Sequence, residues 1–420
     1  MLQMKDDSDA CCDKGGYGDI FKKEVFALQN DLYYKFFEND VSRWCFDISY
    51  KPHQIPSGDC YSIRNVGENK LFVFLVDAMG KGLNASFTSI MSSTFLNYIT
   101  DTQTQKGKFD LEYTIKKYHR FIKKSIFDDE IISVSFFVFD FYENRVEYAS
   151  FSMPPVLLKM SDNSVKSLKS NNLPLSKYKL KINITQHSLE DVVKLLIYSD
   201  GLNETVTSDM HMYKKYLEND FANRANYKEF LSIAQQRVGS FDDDMTFLYI
   251  EKEVCDKSVS ESFCIKSRRN ELQKAIDKTE ALFFKHSLSL ENEVYFSSAF
   301  NEMLMNSYEH GNLAISYRQK NEHMENGTFD ELIKEREERF GDKKIYIKFS
   351  VKEERDFKIF IIEIEDEGDG FDTSIIRNKF LKKSSYSGRG LIMTSKMVDA
   401  FYYNDKGNKL VMKKIQKKDG

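Results

Sequence analysis

The stretch KLFVFLVDAMGKG, residues 70–82, places one carboxylate at the end of an apolar run. The consecutive apolar residues 71–76 are typical of a buried strand, and they lead directly into Asp77 and a glycine-rich turn. The spacing of apolar residues in 85–99 predicts a helix after this turn. Because a carboxylate in a buried setting is costly without a partner charge, we expect the rest of the chain to supply that partner.

The size and composition of the chain restrict its class. Its 420 residues favour two domains, and a net charge of −4 gives no overall case for binding nucleic acid. No apolar run reaches the roughly 18 residues that cross a bilayer, and the N-terminus does not resemble a signal peptide. The six cysteines lack a metal-binding spacing. We therefore expect a cytoplasmic protein with free thiols and no membrane span.

Apolar periodicity separates a leader from a first domain. Residues 1–17 are predicted to be disordered, and residues 18–38 are predicted to form an amphipathic helix, so that 1–43 serve as leader and linker. Strand and helix patterns then alternate through residues 44–252. This alternation predicts β-sheets that are covered by helices.

The second half of the chain has a different pattern. Residues 253–262 are polar and are predicted to be a linker, and residues 263–420 predict a compact α/β sandwich. A charged insert at 316–342 is expected to add a surface helix. The predicted fold class is therefore α+β with two domains.

Further acidic residues of the first half repeat the setting of Asp77. Asp59 follows a Ser-Gly pair, Asp200 ends a predicted strand before a glycine, and the three acids 242–244 lead into another strand. Taken singly, each is an ordinary turn residue. Gathered at one rim of a pair of sheets, they would repel one another, and two hard divalent cations would relieve that repulsion.

The order of these motifs resembles that of the SpoIIE-type PP2C serine phosphatases of bacteria. The chain carries SGD, VDAMGKG, SMPP, LPL, YSDGLNE and DDMT in sequence, and the resemblance covers about residues 44–252. It implies a PP2C-like β-sandwich that is flanked by helices and hydrolyses phosphoserine or phosphothreonine with two Mn²⁺ or Mg²⁺ ions.

The resemblance also implies roles for single residues. The metal ligands of the family correspond here to Asp59, Asp77, Ala78, Asp200 and Asp243. Asp77 would bridge both ions, Ala78 would bind through its backbone carbonyl, and Asp244 stays an alternative to Asp243. Ser57 and residues 151–153 depart from the family motifs without removing a ligand, so only substrate fit or turn geometry near 150–155 is expected to differ.

A second set of motifs lies in the second half. Glu302 and Asn306 are four residues apart and share a helix face that His310 continues. Asp366 ends a strand beside Gly368 and Gly370, where a carboxylate can accept a hydrogen bond from an exocyclic amine such as that of adenine. The start of the next helix can expose backbone N–H groups to phosphate, and it consists of Gly388, Arg389, Gly390 and Leu391. Singly, a buried Asn more often makes a structural hydrogen bond, and a lone GxG motif is weak.

Together these motifs resemble the GHKL ATPases, and most closely the anti-sigma-factor serine kinases of that superfamily. The stretch NEMLMNSYEHGN compares with the family's NEALTNAIEHGN, and the resemblance covers about residues 263–416. It implies a GHKL α/β sandwich that binds ATP with Mg²⁺. In it, Asn306 would hold Mg²⁺, Glu302 would act as base toward the attacking hydroxyl or water, and Asp366 would read adenine.

The two resemblances jointly imply bacterial partner switching. The expected substrate is a STAS-domain anti-anti-sigma protein, which the second domain phosphorylates and the first dephosphorylates, and a sigma factor is a further candidate partner. In the alternative, the GHKL domain only binds ATP or a sigma factor, as a regulatory module without kinase activity. The helix at 18–38 predicts a homodimer that responds to a sensor or receiver module, in cis or in trans.

Overall fold

The computed structural model of the protein describes residues 35–39, 42–53, 57–80, 82–126, 130–178, 180–224, 226–239, 243–254, 260–353, 357–373 and 389–418. Across these residues, no helix combines the length and the apolar character that crossing a bilayer requires.

Two β-sheets pack face to face in the first half of the described chain. The first contains β1 (Phe36–Glu38), β2 (Ser42–Lys51), β7 (Val156–Met160), β8 (Val165–Leu168), β10 (Val192–Tyr198) and β11 (Met245–Val254), in the order β1-β2-β11-β10-β7-β8. The second contains β3 (Asp59–Gly67), β4 (Lys70–Ala78), β5 (Ile132–Asp140), β6 (Arg145–Phe151) and β9 (Thr185–Ser188), in the order β3-β4-β5-β6-β9. Their inner faces meet in an apolar core around Trp44, Tyr61 and Phe139.

Helices cover the outer faces of both sheets. The long helices α1 (Leu83–Gln105) and α2 (Leu111–Ile122) pack on the second sheet, and the side chain of Asp110 caps α2 by accepting from the N–H of Tyr113. The shorter helices α3 (Asp200–Asn203), α4 (Lys214–Asn223) and α5 (Tyr227–Val238) cover the first sheet. The result is the predicted PP2C-like sandwich with helices on both sides.

The position of β4 explains its unbroken apolar run. This strand lies between β3 and β5, and both of its faces are buried. Leu71, Val73 and Leu75 point into the core between the sheets, whereas Phe72 and Phe74 pack among the residues under α1 and α2. A strand with two buried faces needs apolar residues at every position, so the run fixes where Asp77 emerges.

The second half of the described chain forms a separate layer of helices on one sheet. Its strands are β12 (Ser260–Lys266), β13 (Lys344–Glu353), β14 (Phe357–Asp366), β15 (Ala400–Tyr403) and β16 (Lys409–Lys417), in the order β12-β13-β14-β16-β15. Its helices are α6 (Arg269–Lys285), α7 (Leu290–Asn306), a π-helical turn (Ser307–Asn312), α8 (Tyr317–Glu325), α9 (Phe329–Phe340) and α10 (Arg389–Met397). Side chains of helices and sheet share one apolar core, as predicted for an α/β sandwich.

The helix predicted for residues 18–38 is wrong at its C-terminal end, because residues 36–38 form strand β1. Phe36 packs beside Tyr402 of the second half, whereas Phe37 points into the core between the two sheets. Neighbouring residues that are buried on opposite sides follow a period of two, which belongs to a strand. Residues 18–34 lie outside the described residues.

Three smaller differences concern element boundaries in the second half. Strands β11 and β12 extend from both sides into residues 253–262, the predicted linker, of which 255–259 lie outside the described residues. Strand β15 was not predicted from the sequence, and it begins at Ala400, shortly after α10 ends at Met397. The insert at 316–342 forms two helices, α8 and α9, where one was expected.

The outer face of the first sheet packs on the sheet of the second half, through a network of buried charges. The guanidinium of Arg43 on β2 lies 2.7 Å from Glu363 on β14 and 2.9 Å from Glu38 on β1. Its side chain is 4% exposed, and Glu253 on β11 is a third carboxylate within 3.6 Å. Arg43 therefore contacts three carboxylates from both halves, and it shares them with nearby lysines: Lys409 lies 2.6 Å from Glu38, and Lys413 also pairs with Glu253.

Replacing Arg43 by Ala should lower the free energy of unfolding by about 1.5–3 kcal/mol, because charge-assisted hydrogen bonds to Glu38 and Glu363 are lost while the neighbouring lysines remain. Urea denaturation measures the loss. The matched control is Lys116→Ala, which removes an exposed ion pair with Glu112 on α2 and should cost less than about 0.5 kcal/mol. Equal losses in the two variants would contradict a structural role for the Arg43 network.

Candidate functional site

Four aspartates come together where strands of both sheets of the first half end. Asp59 on β3 and Asp77 on β4 are direct cross-strand partners. Asp200 follows β10 and Asp243 precedes β11, and these two strands are antiparallel neighbours. All four line one cavity of about 240 Å³, together with Ala78. The structure thus brings together the five residues that the sequence predicts as metal ligands.

Asp244 lies beside this group with both of its carboxylate oxygens engaged. The backbone N–H groups of His53 and Gly58 donate to them, each at 2.7 Å, and so join the loop before β3 to the loop before β11. Gly201 fits against the carbonyl of Asp244 so closely that any side chain there would collide with it. Asp244 therefore holds these two loops together with both of its carboxylate oxygens, which supports Asp243 as the ligand.

Burial dominates the electrostatics of the cluster. It raises the pKa of Asp59 well above the usual range, although the hydroxyl of Thr246 donates to its carboxylate at 2.7 Å. Burial, with Asp59 and Asp200 as like-charged neighbours, raises the pKa of Asp77 to about 10. Asp77 and Asp200 also share a side-chain hydrogen bond. In the absence of a cation, the cluster therefore retains protons at neutral pH.

The chemistry of the cluster fits hard divalent cations. Among the described residues that line the cavity, none is a Lys or Arg, and the available donors are carboxylate and backbone oxygens. Within the described ranges, no group of three or more His, Cys, Asp or Glu side chains is arranged so that it could hold a metal ion as it stands. The carboxyl groups of Asp77 and Asp200 are hydrogen-bonded to each other instead.

A second cavity, of about 530 Å³, lies between the helices and the sheet of the second half. Asn306 and His310 line it from α7 and the π-helical turn, and Asp366 lines it from the end of β14. The carboxylate of Asp366 accepts from the N–H of Gly368 at 2.9 Å, and burial raises its pKa to about 6. Gly311 is required opposite Asp366, because an added Cβ would lie 2.6 Å from the carboxyl carbon.

The remaining predicted residues of this half are placed as follows. Glu302 on α7 lies directly against the backbone of Gly390, so the predicted base adjoins the start of the predicted phosphate loop. Gly370 and Leu391 line the same cavity as Asn306. Gly388 and the side chain of Arg389 lie outside the described residues.

Sequence reasoning missed several contacts of both sites. Thr246 was considered only as part of the DDMT motif and Asp244 only as an alternative ligand, although both hold the aspartate cluster in place. In the second cavity, Tyr317, Phe371 and Tyr403 provide aromatic walls. No local signal marks these rings, because an aromatic residue near a helix or strand end is more often part of the core.

Comparisons with known families give two matches. Residues 67–253 match the family Stage II sporulation protein E (SpoIIE), and residues 265–414 match the Histidine kinase-like ATPase domain. No curated protein is similar enough to count as a match.

Several solved structures are distantly similar. The RsbU and RsbW domains of Rv1364c from Mycobacterium tuberculosis are 13% identical, with a TM-score of 0.48, over 92% of this chain and 94% of theirs. RsbX in complex with magnesium is 16% identical, with a TM-score of 0.41, over 52% of this chain and 100% of its own. The PP2C phosphatase domain of SpoIIE from Bacillus subtilis, with a fragment of its regulatory domain, is 18% identical, with a TM-score of 0.43, over 52% of this chain and 66% of its own. All three likenesses are too distant to bear on substrate or partner.

Metal binding should be visible in thermal unfolding. Mn²⁺ at about a hundred times its dissociation constant should raise the melting temperature of the wild type by about 5 °C. In Asp77→Asn this rise should shrink below about 1 °C, while the metal-free variant melts no lower than the metal-free wild type, because a neutral amide replaces a carboxyl group that is protonated in the metal-free cluster. Asp191→Asn, in an exposed turn of the same half, is the control and should keep the full rise. An unchanged rise in Asp77→Asn would contradict the assignment.

Proposed function

We propose, from the premise that this chain joins a SpoIIE-type PP2C domain to a histidine kinase-like ATPase domain, that it sets the phosphorylation state of a small protein. The first domain hydrolyses phosphoserine or phosphothreonine, and the second transfers phosphate from ATP to the same residue. The observation that carries the proposal is the group of four aspartates at the strand ends, with no Lys or Arg among the described residues of their cavity.

The residues of the first domain act by holding the aspartates in place. When bound, two Mn²⁺ or Mg²⁺ ions supply the charge stabilisation and the activation of water that hydrolysis of a phosphate ester needs. Asp59, Asp77, Asp200 and Asp243, with the carbonyl of Ala78, would hold them. Thr246 orients Asp59 through its hydroxyl. The hydrogen bonds from His53 and Gly58 to Asp244 keep the strand ends together, so the ligands are arranged before the substrate arrives.

In the second domain, the residues divide between binding and proton transfer. Asp366 would accept a hydrogen bond from the exocyclic amine of adenine, and the ionised form required for this predominates above pH 6 or so. Asn306 would hold the Mg²⁺ that accompanies ATP. Glu302 would accept the proton of the attacking serine or threonine hydroxyl, and its contact with Gly390 at the start of α10 supports this role.

The proposed substrate is a STAS-domain anti-anti-sigma protein, and a sigma factor is a further proposed partner of the second domain. A second candidate function is an ATP- or sigma-binding module without phosphotransfer. The cavity next to Asp366 favours nucleotide binding in both cases. Only transfer of phosphate separates the two, and it depends on Glu302.

The two activities can be separated in one assay with the full chain. Incubation with Mg²⁺, Mn²⁺, γ-labelled ATP and a purified STAS protein should give little lasting label, because phosphate is added and removed. Asp77→Asn should accumulate phosphorylated STAS protein. Glu302→Gln should give none, and Asp191→Asn should behave as the wild type.

The outcomes distinguish the alternatives. ATP binding without label in Asp77→Asn supports the regulatory module and contradicts the kinase. A wild type that cannot dephosphorylate an already phosphorylated STAS protein, or p-nitrophenyl phosphate with Mn²⁺, contradicts the phosphatase and leaves the first domain as a scaffold.

We also propose that the chain is a homodimer whose contact involves the amphipathic segment before β1. An exposed apolar stripe on α1 supports a second contact surface near the aspartates: Leu83, Phe87 and Tyr98 are all more than 60% exposed, at 69%, 62% and 68%, and lie on one side of the helix. Signals from a sensor or receiver module would then reach the metal site by repositioning the helices of 85–127.

Light scattering tests the dimer. The wild type should have about twice the chain mass of 49.2 kDa, and Val25→Glu/Leu28→Glu, on the apolar side of the predicted helix, should have the mass of a monomer. Asn30→Asp, on its polar side, is the control and should stay dimeric. A monomeric wild type, or a double variant that stays dimeric, would rule out this contact.

A further inference from the structure

The charged insert of the second domain is fastened to the helix that carries the predicted ATP-binding residues. Lys320 on α8 lies 2.5 Å from Glu309 in the π-helical turn. On α9, Glu337 accepts from the hydroxyl of Tyr308 at 2.7 Å and from the N–H of Arg269 at 2.5 Å. The two helices α8 and α9 are therefore attached to α6 and to the π-helical turn that follows α7.

The ion pair between Lys320 and Glu309 is largely buried on its acidic side. The side chain of Glu309 is only 4% exposed, and Lys320 is the cation beside it. A carboxylate buried to this extent costs several kcal/mol when its partner is removed. The start of α8 is therefore held against the π-helical turn before any ligand binds.

Tyr317, the first residue of α8, brings the insert into the cavity. Its ring lies among the lining residues, and its centroid is 4.1 Å from that of His310. The ring of His310 is fixed in turn, because its Nδ1 lies 2.5 Å from the carbonyl of Ile315. Tyr317 stays 36% exposed, so part of an aromatic surface faces a cavity that a ligand can fill.

The link between the turn and α8 has an unusual backbone. Ala314 lines the cavity and has a φ of 53°, in the left-handed region that residues with a Cβ rarely adopt. Such a conformation persists where surrounding contacts hold it, and it is frequent at ligand sites. The π-helical turn just before it is likewise a form that is enriched at functional sites.

We infer that the α8–α9 insert is a preformed wall of the nucleotide pocket, in which Tyr317 contacts the bound adenine nucleotide and the Lys320–Glu309 pair holds the wall in position. The inference rests on the proposed binding of ATP and adds a residue that the family motifs do not contain. Because the wall is in place beforehand, binding does not have to order it, and the nucleotide is held more tightly than by the other walls alone.

The test is calorimetric titration of the full chain with β,γ-imido-ATP and Mg²⁺. Tyr317→Ala should raise the dissociation constant about tenfold, because an aromatic contact is lost. Tyr317→Phe keeps the ring and should stay within about twofold of the wild type. Met324→Ala, which removes an exposed side chain from the same helix, is the control and should bind as the wild type does.

A second pair of variants tests the wall without touching the cavity. Lys320→Ala should raise the dissociation constant about threefold or more. Glu309→Gln/Lys320→Met removes both charges and should bind more tightly than Lys320→Ala. Melting curves show whether each variant is folded.

The outcomes separate this inference from the proposed function. Wild-type affinity in both Tyr317→Ala and Lys320→Ala would overturn the inference and leave ATP binding intact. A wild type that binds no nucleotide would overturn the proposed ATP site itself, and the inference with it.

Discussion

The repulsion among Asp59, Asp77, Asp200 and Asp243 is the constraint on which the first domain depends. Asp59 and Asp77 lie at strand ends of one sheet, and Asp200 and Asp243 adjoin strands of the other. The packing of the two sheets therefore decides how near the four charges come to one another. Burial makes their proximity costly, as the raised pKa values of Asp59 and Asp77 show. Divalent cations would remove this cost, so in the proposed two-metal site the arrangement that destabilises the metal-free cluster would also provide the affinity for metal.

The second domain is tied to the first at the edge of its own pocket. Asp405, in the turn between β15 and β16, pairs with Lys35 at 2.7 Å and accepts from Asn65 on β3 at 3.3 Å. Gly407 and Asn408 of the same turn line the second cavity, next to Asp366. Strand β3 begins at Asp59, one of the four clustered aspartates. Strand β3, which carries Asp59 at one end and Asn65 near the other, thus connects the two candidate sites.

Much of this arrangement could be predicted from sequence, where local pattern and function coincide. The run 71–76 predicts a doubly buried strand that ends at Asp77, and the structure shows both faces buried. The strand at Phe36–Glu38 could not be predicted, because its apolar spacing also fits a helix, and what selects the strand is pairing with β2 and burial of Phe36 against Tyr402 of the other half. Tyr317 was missed for a related reason, since its place in the cavity depends on its contact with His310 and on the Lys320–Glu309 pair, which its helix pattern does not reveal.

The most direct test of the account is electron paramagnetic resonance of the full chain at saturating Mn²⁺. Two ions bridged by Asp77, about 4 Å apart, should give the spectrum of a spin-coupled pair. In Asp77→Asn the coupling should disappear. A wild type that binds a single ion, or that shows only the spectrum of isolated Mn²⁺, would contradict the claim that the four aspartates form a two-metal centre.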